Sequence, residues 1–137
     1  SYGFYVPNNV YIIGTMNDID RSVESMDFAF RRRFAFYEVT AESSQRMLED
    51  LKSDFSDIIE RMKRLNNAIV NDGQLTTAYQ LGGAYFKKIK EIKPKKGAYT
   101  KLWDIFIKGV LLEYFRGLPK EEIKTKMEKL KKAYDGK

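Results

Sequence analysis

Asn17 follows an almost wholly apolar run at residues 9–15 (NVYIIGT). Such a run, rich in β-branched and aromatic side chains and ended by Gly14, predicts a strand buried on both faces, as in a parallel sheet covered by helices. Asn17 would then lie just past the strand's carboxyl end, where parallel sheets bind ligands. An amide there can donate to a phosphate oxygen and accept from a water at once. That combination is what aims a nucleophilic water at a γ-phosphate. The alternative is a turn residue closing a strand, a position that Asn fills readily.

Asp18, Asp20, Ser22 and Glu24 alternate like the oxygens that open a calcium-binding loop. Val23 stands where that loop needs Gly and Ala29 where it needs Glu, so calcium binding through this motif is not expected. Arg31, Arg32 and Arg33 are consecutive. Three adjacent guanidinium groups repel one another. They could neutralise transition-state charge on a phosphoryl group, often in a neighbouring subunit's site, or they could compensate a helix C-terminus and form surface salt bridges.

The chain has no Cys and no His. Disulfides, thiolate or imidazole zinc sites, Ser-His-Asp triads and cysteine nucleophiles are thereby excluded from its 137 residues. It also carries neither a G-x-x-x-x-G-K-[ST] phosphate loop nor a G-x-G-x-x-G turn. The formal net charge of +6 suits anionic partners, with lysines concentrated at residues 87–96 and 120–132. No run approaches the roughly 20 apolar residues of a membrane-spanning helix and no signal peptide opens the chain, so a cytoplasmic protein is expected.

The elements that would position these residues fall into two parts. After the strand at 9–15, Asp20 and Ser22 are good N-cap types for a helix running to about residue 31, and a second strand-like run follows at 34–39. Strand, helix and strand so close together imply an α/β unit. From Glu42 the pattern turns helical. Ser53 or Asp54 could cap a helix in which Phe55, Ile58, Ile59, Met62, Leu65 and Ile69 recur at three- and four-residue spacing, stopped by Asn71-Asp72-Gly73. A segment at 81–92 begins at Gly82-Gly83, and residues 95–97 form a loop. Residues 101–116 are apolar on most sides and predict the central helix of this half, ended by Gly117. Pro119 opens a last helix burying Ile123, Met127, Leu130 and Tyr134.

The combination is more specific than its parts. VPNNVYIIGTMNDIDRS resembles the sensor-1 strand and following loop of McrB-type AAA+ proteins, the motor subunits of modification-dependent restriction systems. DFAFRRRF resembles that family's D-x-A-L-R-R-R-F. LGGAYFKK is similar to its sensor-2 segment, and LWDIFIKGVLLEYF to its lid helices. The matches run in family order over about residues 4–116.

The resemblance implies a fold that is an α/β remnant plus an all-α part: the last strands of an AAA+ core at 1–40, then a helical lid bundle at 41–137, mostly α overall. It implies that Asn17 is the sensor-1 residue positioning the hydrolytic water, supported by Asp20 and Arg21. Arg33, assisted by Arg31 or Arg32, would be a finger reaching a neighbour's nucleotide. Gly82 and Gly83 would lie near the bound nucleotide, through backbone contacts because Gly83 and Ala84 replace a polar pair. The implied cofactor is ATP or GTP with Mg²⁺ in the full-length protein, whose phosphate loop and acidic strand would precede Ser1, with none expected for this part alone. The implied partners are identical subunits in a ring, a nuclease subunit, and DNA through domains outside this chain, with no membrane. The other function class is a non-enzymatic basic helical module. In it Lys87, Lys88, Lys90, Lys93, Lys95 and Lys96, interleaved with Tyr85 and Phe86, would contact nucleic acid or a partner protein.

Overall fold

The computed structural model describes residues 3, 5–16 and 32–137. The chain divides into two units, Ser1–Ala35 and Phe36–Lys137. In the first, residues 5–16 carry no helix or strand. A turn places the Val10 N–H on the Pro7 carbonyl at 3.1 Å. The strands expected at 9–15 and 34–39 are not formed among the described residues. The physical reason is local. A strand is stabilised by a ladder partner and a covered face, and Tyr11, Ile12, Ile13, Tyr37 and Val39 have neither and stand exposed. The helix expected from Asp20 to about residue 31 lies outside the described residues.

From Ser43 onward the second unit is built from helices joined by short connections. A 3-10 helix, Ser43–Leu51, buries Leu48 and Leu51, three residues apart and therefore on one side of a three-residue turn. Its start is fixed by side chains: Thr40 Oγ1 accepts from the Ser43 N–H at 3.0 Å, and Ser44 Oγ donates to the Ala41 carbonyl at 2.6 Å. Helix α1 (Ile58–Asn71) buries Ile58, Ile59, Met62, Leu65, Asn66, Ala68 and Ile69, a stripe with the helical period. It begins after Asp57, later than the expected cap at Ser53 or Asp54, because Phe55 is buried in the preceding turn.

Helix α2 (Gly83–Lys87) continues into a 3-10 turn, Lys88–Glu91. After a cis Lys93–Pro94 bond the chain forms α3 (Ala98–Leu102), a π segment (Trp103–Ile107) and α4 (Lys108–Tyr114). Trp103, Ile107, Leu111 and Phe115 are all buried. Residues spaced strictly by four drift by about 40° per step around an α-helix. A wider π turn offsets that drift and keeps the aromatic and aliphatic groups on one face. Ile105 and Leu112 remain exposed, so this segment is a one-faced helix and not the central one, covered on most sides, that its composition suggested.

Gly117, at φ +97°, turns the chain toward α5 (Lys120–Asp135), a left-handed conformation that favours glycine. Helices α1 and α5 lie antiparallel. Arg61 and Arg64 near the start of α1 donate to the Tyr134 and Ala133 carbonyls at 3.1 Å each, closing the C-terminus of α5 where unpaired carbonyls favour cations. At the other end Lys126, itself buried, donates to the Gly73 carbonyl at 3.2 Å and Gln74 Oε1 at 3.1 Å. Ile123 and Met127 are only half-buried, whereas Leu130 and Tyr134 are buried as expected. No helix among the described residues is long and apolar enough to cross a membrane.

Candidate functional site

The expected site residues fall into separate places. Asn17, Asp20, Arg21 and Arg31 lie outside the described residues. Arg32 and Arg33 belong to the first unit, in a turn, with both side chains exposed and in no ion pair among the described residues. Gly82 and Gly83 belong to the helical unit.

The glycine pair is held by two polar side chains. Asn66, on the buried stripe of α1, donates through Nδ2 to the Leu81 carbonyl at 2.9 Å and accepts the Leu81 N–H on Oδ1 at 2.8 Å. Ser44 Oγ then accepts the Gly83 N–H at 2.8 Å. Asn66 and Leu81 are both buried, so losing Asn66 would leave two backbone groups unsatisfied, at about 1–3 kcal/mol each. A Cβ on Gly83 would come within 2.5 Å of the Ser44 carbonyl oxygen, whereas one on Gly82 would meet only the Ser44 side chain at 3.4 Å. Gly83 is thus required by close backbone packing against the 3-10 helix. Gly82, at φ −73° and ψ 166°, has no such constraint.

A second polar cluster joins α1, α3 and α5. The Arg61 guanidinium binds Asp57 Oδ2 at 2.7 Å and lies 4.1 Å over the Tyr99 ring and 5.3 Å from that of Tyr134. The Tyr134 hydroxyl donates to the Tyr99 carbonyl at 2.9 Å. Burial alone would raise the Asp57 carboxyl, but the adjacent Tyr99 hydroxyl and Arg61 charge outweigh it and hold the group below its ordinary value. Burial pushes Tyr99 and Tyr134 above the usual phenol range. Tyr114 is pushed up to about 12 by burial, with Tyr85 and Tyr79 nearby adding to the effect. Arg61, Asp57 and Tyr134 are tied to one another and to the Tyr99 backbone by hydrogen bonds, which hold the helices together.

Two of the six lysines between residues 87 and 96 pair with carboxylates of the chain. Lys90 pairs with Asp50, Lys95 with Asp54 at 2.6 Å, and Lys88 lies 4.9 Å from the Phe106 ring. The Lys90 hydrogen bond, working against some desolvation, lowers the Asp50 carboxyl from its ordinary value. Phe86 is completely buried and offers no face for base stacking. No group of His, Cys, Asp or Glu among the described residues could hold a metal ion.

Asn66, Arg61 and Lys126 were legible as positions although not singled out. Each falls three or four residues from apolar neighbours that are buried or half-buried: Asn66 from Met62 and Ile69, Arg61 from Ile58 and Leu65, Lys126 from Leu130 and the half-buried Ile123. A polar group on a buried stripe must have partners. What sequence does not supply is who the partners are.

In sequence the chain is similar to a subunit of a methyl-directed restriction enzyme. That relative is the type IV methyl-directed restriction enzyme EcoKMcrB subunit of Escherichia coli (strain K12), at 36% identity over 91 residues, covering 61% of this chain. The chain spans about a fifth (20%) of that subunit's length. No protein-family profile matches the chain, and no solved structure matches it. The similarity supports a relationship to McrB.

Proposed function

We propose that this chain is the closing part of an AAA+ nucleoside-triphosphatase of McrB type, which hydrolyses GTP or ATP with Mg²⁺ and couples hydrolysis to DNA translocation in a restriction system. The observation that carries this reading is the 36% identity to the methyl-directed restriction enzyme subunit. The resemblance of YIIGTMNDIDRS followed by FRRRF to McrB-type sequences supports the same reading.

In this reading Asn17 orients the attacking water, and Asp20 and Arg21 support it. Arg33, with Arg31 or Arg32, reaches the nucleotide of an adjacent subunit in a ring. A fixed amide there needs no reorganisation as charge develops, and an arginine supplies charge only when the neighbour is docked. A nuclease subunit and a DNA-reading domain complete the system from outside the chain. The described residues do not themselves fit a nucleotide with its metal: they hold no acidic cluster, and the Gly83 N–H is already bonded to Ser44. The phosphate-gripping groups therefore belong, in this reading, to sequence beyond these residues.

The test is made in the longer polypeptide that carries the phosphate loop. Asn17→Ala should leave nucleotide binding in place and lower kcat by about 100-fold or more, the usual effect of losing one preorganised polar group. Arg33→Ala should silence hydrolysis and, mixed with wild-type subunits, depress turnover at the neighbouring site. Wild-type turnover by the Asn17 variant would remove the sensor role. Vigorous hydrolysis by the 137-residue chain alone, abolished by Asn17→Ala, would overturn the expectation that the phosphate-gripping groups lie beyond these residues.

A further inference from the structure

We propose that the groove between α4 and α5 docks an acidic amphipathic helix of a partner protein. The groove is shallow and open to solvent, with a volume of about 590 Å³. Its floor is aliphatic, made by Leu112 of α4 and by Ile123 and Met127, one turn apart on α5, over the buried Trp103. Lys108, Lys120, Lys124 and Lys132 stand around it, with Glu128 the one acid in the lining.

What sets this surface apart is that its lysines ring an aliphatic floor. Lys108, Lys120, Lys124 and Lys132 have no ion pair or side-chain hydrogen bond among the described residues, as is also true of Lys87 and Lys96 in the 87–96 stretch, but of these six only the first four line the apolar groove. Unpaired like charges around a water-exposed apolar floor repel one another and are relieved by an anionic surface with its own apolar stripe. The groove runs along α5 from Lys120 to Lys132, about 18 Å at the helical rise, which matches some three turns of an incoming helix.

The same details disfavour the other occupants. Single-stranded nucleic acid gains affinity from exposed aromatic faces. Here Trp103 is only 3% exposed, and its ring lies 5.3 Å from Lys131, which Asp135 holds at 2.8 Å. A second copy of the chain carries the same +6 charge. The occupant favoured is therefore a separate acidic protein segment, and the proposal holds or fails independently of the nucleotide chemistry.

The experiment uses the 137-residue chain and a fluorescent synthetic peptide of about 14 residues. The peptide has leucines at i, i+3, i+4 and i+7 and glutamates on its other positions. Controls are a peptide of the same composition with scattered leucines and a single-stranded oligonucleotide of equal charge. The expected result is saturable binding with Kd on the order of micromolar, weakened about tenfold by scattering the leucines and about tenfold by Lys120→Glu with Lys124→Glu. Both lysines are exposed, so helical circular dichroism should be unchanged in the double variant. Leu112→Ser, also at an exposed position, should weaken binding as well. The proposal is overturned if no saturation occurs, if the scattered peptide binds equally, if the charge reversals have no effect, or if the oligonucleotide binds more tightly than the peptide.

Discussion

Tyr11 and Ile13 of the first unit are 88% and 91% exposed, whereas Leu48, Phe86 and Tyr134 of the helical unit are completely buried. Both regions are rich in apolar side chains; they differ in where covering partners come from. A helical stripe such as Ile58–Ile59–Met62–Leu65–Ile69 has one face to cover, and α5, α2 and the 3-10 helix supply that cover from the same unit. A run that is apolar on both faces needs neighbours on both sides and a ladder at each edge. The motif residues that could do chemistry cluster in the first region, and the residues that fix the architecture fill the second. The helical unit is therefore folded on its own cover, while the apolar runs at 9–15 and 34–39 stand largely exposed.

The largest effect expected in the helical unit comes from the second glycine of the pair. Gly83→Val forces a Cβ to within 2.5 Å of the Ser44 carbonyl oxygen, where the obstacle is backbone. Separating α2 from the 3-10 helix should cost about 3 kcal/mol, read as a fall in the urea midpoint followed by circular dichroism. Gly82→Ala, placed in ordinary contact, should cost less than about 1 kcal/mol. The pair thereby sharpens the comparison. Any effect of Gly82→Ala on nucleotide turnover in the longer polypeptide would report function, because its structural effect is small. Equal destabilisation by both substitutions would contradict the packing described.

A smaller effect belongs to Asp57. Its carboxyl titrates below the ordinary value of 3.8 in the fold, so its contribution is present above that value and is lost as pH falls through the depressed one. Asp57→Asn should lower stability near neutral pH by less than about 1 kcal/mol, the carboxylate being partly exposed and screened. The difference between variant and wild type should close on acidification below about pH 4. A difference unchanged across that range would mean that the carboxylate's charge contributes nothing to the Arg61 cluster.

Much of the helical unit was legible beforehand. Period and punctuation predicted α1, α5 and the loop at 95–97, because each stripe needs a single covering neighbour. The π segment was not legible, since strict four-residue spacing of Trp103, Ile107, Leu111 and Phe115 reads as an ordinary helix until the register drift is counted. Exposure of Ile105 and Leu112 was missed for a related reason: composition reports apolarity, not which face has a neighbour. Of the candidate site, Gly82 and Gly83 were found as a pair, but their unequal roles depend on Ser44, some forty residues away in sequence at a separation of 39 for Gly83. The strands expected at 9–15 and 34–39 were read from a pattern that specifies burial without naming what buries it.

That last point yields the smallest effect in this chain and the sharpest test of the comparison. Ile13 is almost fully exposed, so Ile13→Ser should change the stability of the 137-residue chain by less than about 0.5 kcal/mol. In the longer polypeptide of the proposed motor, residues 9–15 would be a central strand with Ile13 covered, and the same substitution should cost about 3 kcal/mol. Measuring both by denaturant unfolding separates composition from context, because the residue and its neighbours in sequence are identical. A small effect in both would mean that the run is not a buried strand, and the placement of Asn17 at a strand's carboxyl end would fall with it.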